Sequence, residues 1–534
     1  MYKTVPYILM SASGGVFGAV NGSTSQVNVS GYLLDSPVTY GIETVDYTCY
    51  KPVVRAIQPW GWREEVPPIT YWADCLEVVE TTVTPYVFYC DSVSWTNYPT
   101  EDDPLEIAAA KLKTRDTTGI GTKKRPFRNL SYMLERLDCM FRPLGAFTKS
   151  HVSECKECAK PILIKVAGSV DYPVGKYTGL YMHNDRYDYF NTVIFDFSEA
   201  QCSVPALHWG LLYMDNAYIQ GLHINEPSTK AAIYGEGNTL VDCHIKADIR
   251  NGGDAPGFAY RSTLHGDTDV NYILDCTVTG TCDSTDGSTS VCSFTFAKNS
   301  VFTNTSCIGD GCYGCTMYYD DSDYGYTGPY TSEDHRISFV NNCVFTFRQS
   351  ISKSDMHGIT NINEIANSNI TTTYRNIDIR GGNAFNINIG GIGGSFDFNN
   401  MYKASIVSVS DSWLLGGRIS HSCIDVDFTC SFEYANKLAN HEDIGMYGGE
   451  HIRGCTVSVT LKGKHAYSLN TYAFYGGGTY IDCVGTVSAT ATDGLSYCGF
   501  GGGILIRCSG STECFGSSFY GDDACEHLHC ALGG

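Results

Sequence analysis

From about residue 160 onward, apolar and polar positions alternate in short bursts. Around Cys243 the alternate residues Thr239, Val241, Cys243 and Ile245 fall on one face, as do Tyr272, Leu274, Cys276 and Val278. Ile504, Ile506 and Cys508 repeat the pattern near the end of the chain. Alternation at period two predicts half-buried β-strands. No stretch of ten or more residues in this region carries a 3.6-residue period, so helical repeats are excluded.

The bursts belong to a recurring phrase: glycines, a short apolar run, then a cysteine. It reads GlyGluGlyAsnThrLeuValAspCys at 235–243 and GlyGlyGluHisIleArgGlyCys at 448–455. It returns as GlyGlyGlyThrTyrIleAspCys at 476–483 and GlyGlyGlyIleLeuIleArgCys at 501–508. Looser copies end at Cys276, Cys307, Cys343 and Cys423, which spaces the series at 33, 31, 36, 80, 32, 28 and 25 residues. The interval of 80 leaves room for two or three unmarked copies. Repeats of this length predict a stacked array in which each unit buries its apolar face against its neighbours. The leucine ladder of leucine-rich repeats is missing. A β-propeller blade needs four strands in about 40–45 residues, more than the shortest intervals supply. A parallel β-helix fits, one coil per repeat.

The stretch from 114 to 226 carries a resemblance. AspThrThrGlyIleGlyThrLysLysArgProPheArgAsnLeu at 116–130 resembles the entry segment of pectate-lyase-like right-handed β-helix proteins. There a Gly-Thr and Pro-Phe phrase leads into a short capping helix. Leu130, Met133, Leu134, Leu137 and Phe141 have the spacing of one helical face. IleLeuIleLysValAlaGly (162–168), ThrValIlePheAspPhe (192–197) and AsnAlaTyrIleGlnGlyLeuHisIleAsn (216–225) resemble that superfamily's first coils. The resemblance covers about 115–534. It implies an all-β, right-handed parallel β-helix, a fold that carries lyases, hydrolases, phage tailspikes, adhesins and inert fibres alike.

The expected organisation is a small N-terminal β domain over 1–105, a linker and capping helix over 106–160, and the solenoid over 161–534. Val, Tyr, Thr and Pro dominate the first part, and ThrGluAspAspProLeu (100–105) reads as a linker. A net charge of −21 argues against a nucleic-acid partner, since phosphate neutralisation needs clustered Lys and Arg. No apolar run is long enough to predict a membrane span. The first ten residues hold one lysine and an apolar stretch broken by Pro6, a poor secretory signal. The expected location is therefore extracellular or on a virion surface.

Of the 24 cysteines, those at the repeat position are expected to point inward as reduced, stacked thiols. The pairs Cys155/Cys158 and Cys312/Cys315 are too far apart to predict a four-cysteine zinc site. Cys525, His527, His529 and Cys530 are zinc-competent types, but Cys530 also falls where a further coil is due.

Candidate chemistry gathers between residues 260 and 360, where a groove is expected. Nine residues before successive repeat cysteines stand Asp267, Lys298 and Asp334, a column of alternating charge if the cysteines are in register. Carboxylates two coils apart would be about 9–10 Å from each other. That is near the separation of an inverting glycosidase pair, and a central lysine equally suits proton abstraction beside a uronate. The alternative is a surface charge ladder of little energetic weight. In TyrTyrAspAspSerAspTyrGlyTyr (318–326), the carboxylates Asp320, Asp321 and Asp323 sit among Tyr318, Tyr319, Tyr324 and Tyr326, rings suited to stacking on sugars. Clustered oxygens of this kind also hold Ca²⁺, although the spacing matches no EF-hand loop. A solvated loop is the plain alternative. His265, His335, Arg336, Asp355 and His357 complete the set.

The functional expectation is a tailspike- or fibre-like surface protein, a homotrimer that binds cell-surface polysaccharide, with the question of whether it also cleaves that polysaccharide left open. Residues 1–105 would then be the virion attachment module. A secreted polysaccharide lyase or glycoside hydrolase, and a non-catalytic adhesive β-helix, are the alternatives.

Overall fold

A computed structural model describes residues 43–54, 76–92, 121–123, 126–127 and, with interruptions at connecting segments, 161–533. The region that carries the expected capping helix, 128–160, lies outside these residues. What is described is all-β and forms a parallel β-helix. The chain divides into two compact units, the first ending at Thr279 and the second running on from Gly280.

In the first unit, Tyr47–Val54 and Leu76–Val83 form an antiparallel pair. Tyr86–Ser92 then pairs in parallel with Ile162–Asp171, which pairs in parallel with Val193–Ser203. Coil stacking therefore begins at Tyr86, within the stretch assigned from sequence to the N-terminal domain. The antiparallel pair packs onto the coils: Cys49 shares a buried cluster with Val87, Leu163, Ile194, Tyr218 and Val241. Tyr47 donates to Gln220 Oε1 at 2.7 Å, and the Tyr50 N–H donates to the Tyr218 hydroxyl at 3.2 Å.

From Gly221 onward, the turn between the two short strands of a coil is made at a residue held in the left-handed region. In the first unit these are Gly221, Asp242, Arg261 and Asp275, with φ between 48° and 68°. In the second they include Asn299, Gly314, Asn342, Asn367, Asn386, Lys403, Asp425, Gly454, Asp482 and Arg507. Asn, Asp and Gly prevail because their side chains tolerate this conformation.

The corner corrects the face expected from strict alternation. Leu240 is buried along with Cys243 and Ile245, Val241 is buried in the cluster with Cys49, and Leu505 is buried where Ile504 is 38 % exposed. The left-handed residue between the two strands takes up one position without a strand step, so the alternation restarts after it.

The residue after each corner points inward, and its chemistry repeats. Cys243 Sγ donates to the Val241 carbonyl at 3.3 Å, and Cys483 Sγ to that of Ile481 at 3.3 Å. Ser262 and Ser368 hydroxyls make the same bond to Tyr260 and Ala366 at 2.9 and 2.7 Å. A small buried side chain with one donor suits this site, whether thiol or hydroxyl. Elsewhere it is filled by Ile387, Ala404 and Val426, which are simply apolar.

This resets the repeat. Cys307 lies within Ser306–Tyr313, and Cys423 lies mid-strand in register with Met401 and Ile452. Neither follows a corner; the equivalent residues are Cys315 and Val426. The unmarked coils in the interval of 80 are those of Ser368, Ile387 and Ala404. Coil length varies from 14 residues between Ser262 and Cys276 to 29 between Val426 and Cys455. The described cysteines are free and buried, with Sγ atoms 3.4 Å apart between Cys312 and Cys343 and 3.6 Å apart between Cys423 and Cys455.

Candidate functional site

In the second unit, the short strand before each corner places its central residue in the core and its flanking residues on the outer face. Val340, Ile365, Ala384, Met401, Cys423 and Ile452 form the buried column. Parallel register then defines two outer columns. One runs Glu364, Asn383, Asn400, Ser422, His451 and Thr479. The other runs Asn341, Ala366, Phe385, Tyr402, Ile424 and Arg453.

These columns carry three features of chemical interest. Phe385 and Tyr402 stack with ring centroids 5.3 Å apart and planes 8° from parallel, backed by Ala366. Asn400 donates to Asn383 Oδ1 at 2.8 Å, a polar ladder beside the rings. A cleft of about 350 Å³ opens next to Tyr402, walled by Ile424, Asp425, His451, Arg453 and Ile481. Its volume is within the range of small-ligand sites. It combines an aromatic face, aliphatic walls, a guanidinium and a carboxylate.

The third feature is a pair of unsatisfied groups. Glu364 is 5 % exposed and Asn341 1 %, yet Glu364 Oε2 and Asn341 Nδ2 have no hydrogen-bond partner. Asn341 uses only its oxygen, which accepts from Asn367 Nδ2 at 3.1 Å. Burial, with no compensating cation, pushes the Glu364 carboxyl up to about 7.

The residues nominated from sequence are dispersed. Asp267 is an exposed turn residue of the first unit, its N–H donating to Asp248 Oδ1 at 2.9 Å. Lys298 ends the strand Val291–Lys298 of the second unit, with Nζ 5.7 Å from the Tyr313 ring centroid. Its column continues through Tyr313, Asn341 and Ala366, so Lys298 joins the outer face just described. Asp320 accepts from the Tyr318 hydroxyl at 2.7 Å and stands in register with Arg348, whose guanidinium lies 5.5 Å from the Tyr318 ring centroid. Tyr319 is 6 % exposed and faces the interior with Met317, so it presents no ring to a ligand. Arg336 is exposed on His335–Asn341. The backbone of His357 is in register with Asp378. Asp321, Asp323, Tyr324, Tyr326, Asp334 and Asp355 lie outside the described residues.

His335 is a core residue. Its Nδ1 accepts the Cys307 N–H at 3.1 Å, Phe347 packs against its ring, and burial lowers its pKa to about 4. In the first unit His265 has a buried Nε2 without a partner and stacks edge-on to His244 at 5.5 Å. Burial lowers the pKa of both imidazoles. Among the described residues there is no cluster of three side chains suited to a metal ion, and no helix long and apolar enough to cross a membrane.

Glu364, Asn341, Phe385, Tyr402 and Arg453 are absent from the sequence-derived set. Only coil register assembles them, because they are spread over more than a hundred residues of chain. Compared with protein-family models, curated proteins and solved structures, the chain matches none.

Proposed function

We propose that this chain is a surface-exposed β-helix protein that binds polysaccharide along the outer face of its second unit. The observation that carries the reading is the Phe385–Tyr402 stack opening onto the cleft with His451 and Arg453. Sugar rings present apolar faces to aromatics and hydroxyls to amides, and both partners stand side by side here. The coil repeat of about 4.8 Å offers such contacts at regular steps along an extended polymer. Rigid strands hold them in place without an ordering cost on binding.

A tailspike- or fibre-like trimer is the assembly this reading favours, with the N-terminal region as attachment module. The test is to incubate the protein with purified bacterial surface polysaccharides, following co-sedimentation and the release of reducing or unsaturated ends. Retention without new ends defines a binding protein, and new ends define a depolymerase. Failure to retain any polysaccharide would refute the reading.

A further inference from the structure

We propose that copies of this chain meet through the outer face of the strands that follow each corner in the second unit, a sheet almost free of charge. Such an assembly goes beyond polysaccharide binding and does not depend on it. Within each coil the aromatic face lies before the corner and the proposed contact face after it.

Behind each corner, one buried residue leads into a strand that alternates between outside and inside. In Val344–Arg348, Val344 and Thr346 face outward while Phe345 and Phe347 are buried. Ten such strands stack in parallel register from Val301–Thr303 to Ser509–Glu513. Their outward residues form two columns, one from Val301 to Ser509 and one from Thr303 to Ser511.

Threonine, serine and valine fill most of the twenty positions in these columns, and Asp427 is the one charged residue among them. The fold does not impose this. The corresponding strand of the first unit, His244–Arg250, sets His244, Lys246, Asp248 and Arg250 on its outer side. The chain carries a net charge of −21, so two copies repel over most of their surfaces. A face without charge is where a second copy approaches at least cost.

The face also has the anatomy of a contact. Among the described residues of the second unit, five large apolar side chains are exposed, and Val301, Val344, Val407 and Val484 of them lie here. Polar groups beside them pair along the columns. The Thr486 hydroxyl donates to Ser458 Oγ at 2.8 Å, and Asn388 Nδ2 donates to Asn369 Oδ1 at 2.9 Å. A covering partner therefore leaves these groups with hydrogen bonds. Charge returns at the rim, with Asp425, Asp482 and Arg507 at the corners and Asp320 and Arg348 farther along the strands. Protein interfaces share this depletion of charge at the centre.

The size is adequate. Ten strands spaced about 4.8 Å apart, each with two outward residues about 6.7 Å apart, present about 650 Å². Two copies would bury about 1,300 Å² together, within the range of specific interfaces.

The test is the mass of the full chain in solution, by analytical ultracentrifugation, for wild type, Val344→Glu, Val407→Glu and Arg336→Glu. Wild type should sediment as a multiple of 58.4 kDa. Val344 and Val407 are 39 % and 47 % exposed, so a glutamate at either should leave the unfolding temperature near that of wild type. Each places an unpaired carboxylate in the contact and should weaken association about tenfold or more. Arg336→Glu makes the chain more negative on the exposed side of His335–Asn341, off the face, and should keep the wild-type mass. A wild type of 58.4 kDa would overturn the assembly. So would a multimer that both valine variants leave intact, or one that Arg336→Glu dissociates equally. A monomer that binds polysaccharide would remove this contact alone, and a multimer that binds none would remove the polysaccharide reading alone.

Discussion

Arg507 grips Asp482 across one coil, its Nη2 lying 2.6 Å from Asp482 Oδ2 while Nε engages Oδ1. Both residues are left-handed corners, with φ of 52° and 55°. Arg261 and Asp242 repeat the arrangement in the first unit at 2.8 Å. The corner thus does two jobs, turning the backbone and presenting side chains that link coil to coil. The guanidinium holds the Asp482 carboxyl below its ordinary value. Arg507→Ala should let that pKa rise, as read by NMR titration, with little change in stability because the pair is exposed.

Asn386 tests the backbone half of the corner. Its φ is 50°, and its side chain donates to Asn367 Oδ1 at 2.8 Å. Asn386→Val should cost about 1–2 kcal/mol from the left-handed conformation alone. Asn386→Gly should cost less, since glycine adopts it freely. Denaturant unfolding of the two variants checks the order.

Cys483 tests the inward half. Because Ser262 and Ser368 make the same bond at the same coil position, Cys483→Ser should fold with a loss of about 1 kcal/mol or less. Cys483→Leu should overpack the site and cost about 1–3 kcal/mol. Thermal unfolding separates the two.

His335 and Glu364 should bend the pH–stability curve in opposite directions. His335 has a folded pKa of about 4 against 6.5 when unfolded, so the unfolded chain binds more protons between those values. Its contribution is present above pH 6.5 and is lost as pH falls toward 4, by on the order of 3 kcal/mol. Glu364 is raised from 4.5 to about 7, so its contribution is present below pH 4.5 and is lost as pH rises through 7. Stability measured across pH 4–8 should therefore show less acid loss in His335→Gln and less loss toward neutral pH in Glu364→Gln.

The β-helix was legible in the chain because a cysteine recurs behind many of the corners. Cys243, Cys276, Cys343, Cys455, Cys483 and Cys508 all stand there. Ser, Ile, Ala and Val serve the same position, so those coils carry no cysteine mark, while Cys307 and Cys423 lie within strands rather than behind corners. The site was less legible. Adjacent strand residues face opposite ways, so Tyr318 and Tyr319 could not both meet a ligand. Glu364 sits in AsnIleAsnGluIleAla, whose alternation reads as a solvated strand. Its isolation appears only when coils of different lengths are set in register.

The most direct measurement is binding of the labelled protein to an array of bacterial surface glycans, with wild type and Tyr402→Ala side by side. The account predicts a defined set of glycans bound by wild type and lost, at least tenfold, in a variant that unfolds at a similar temperature. Equal binding by the two proteins, or no binding by wild type, would contradict it.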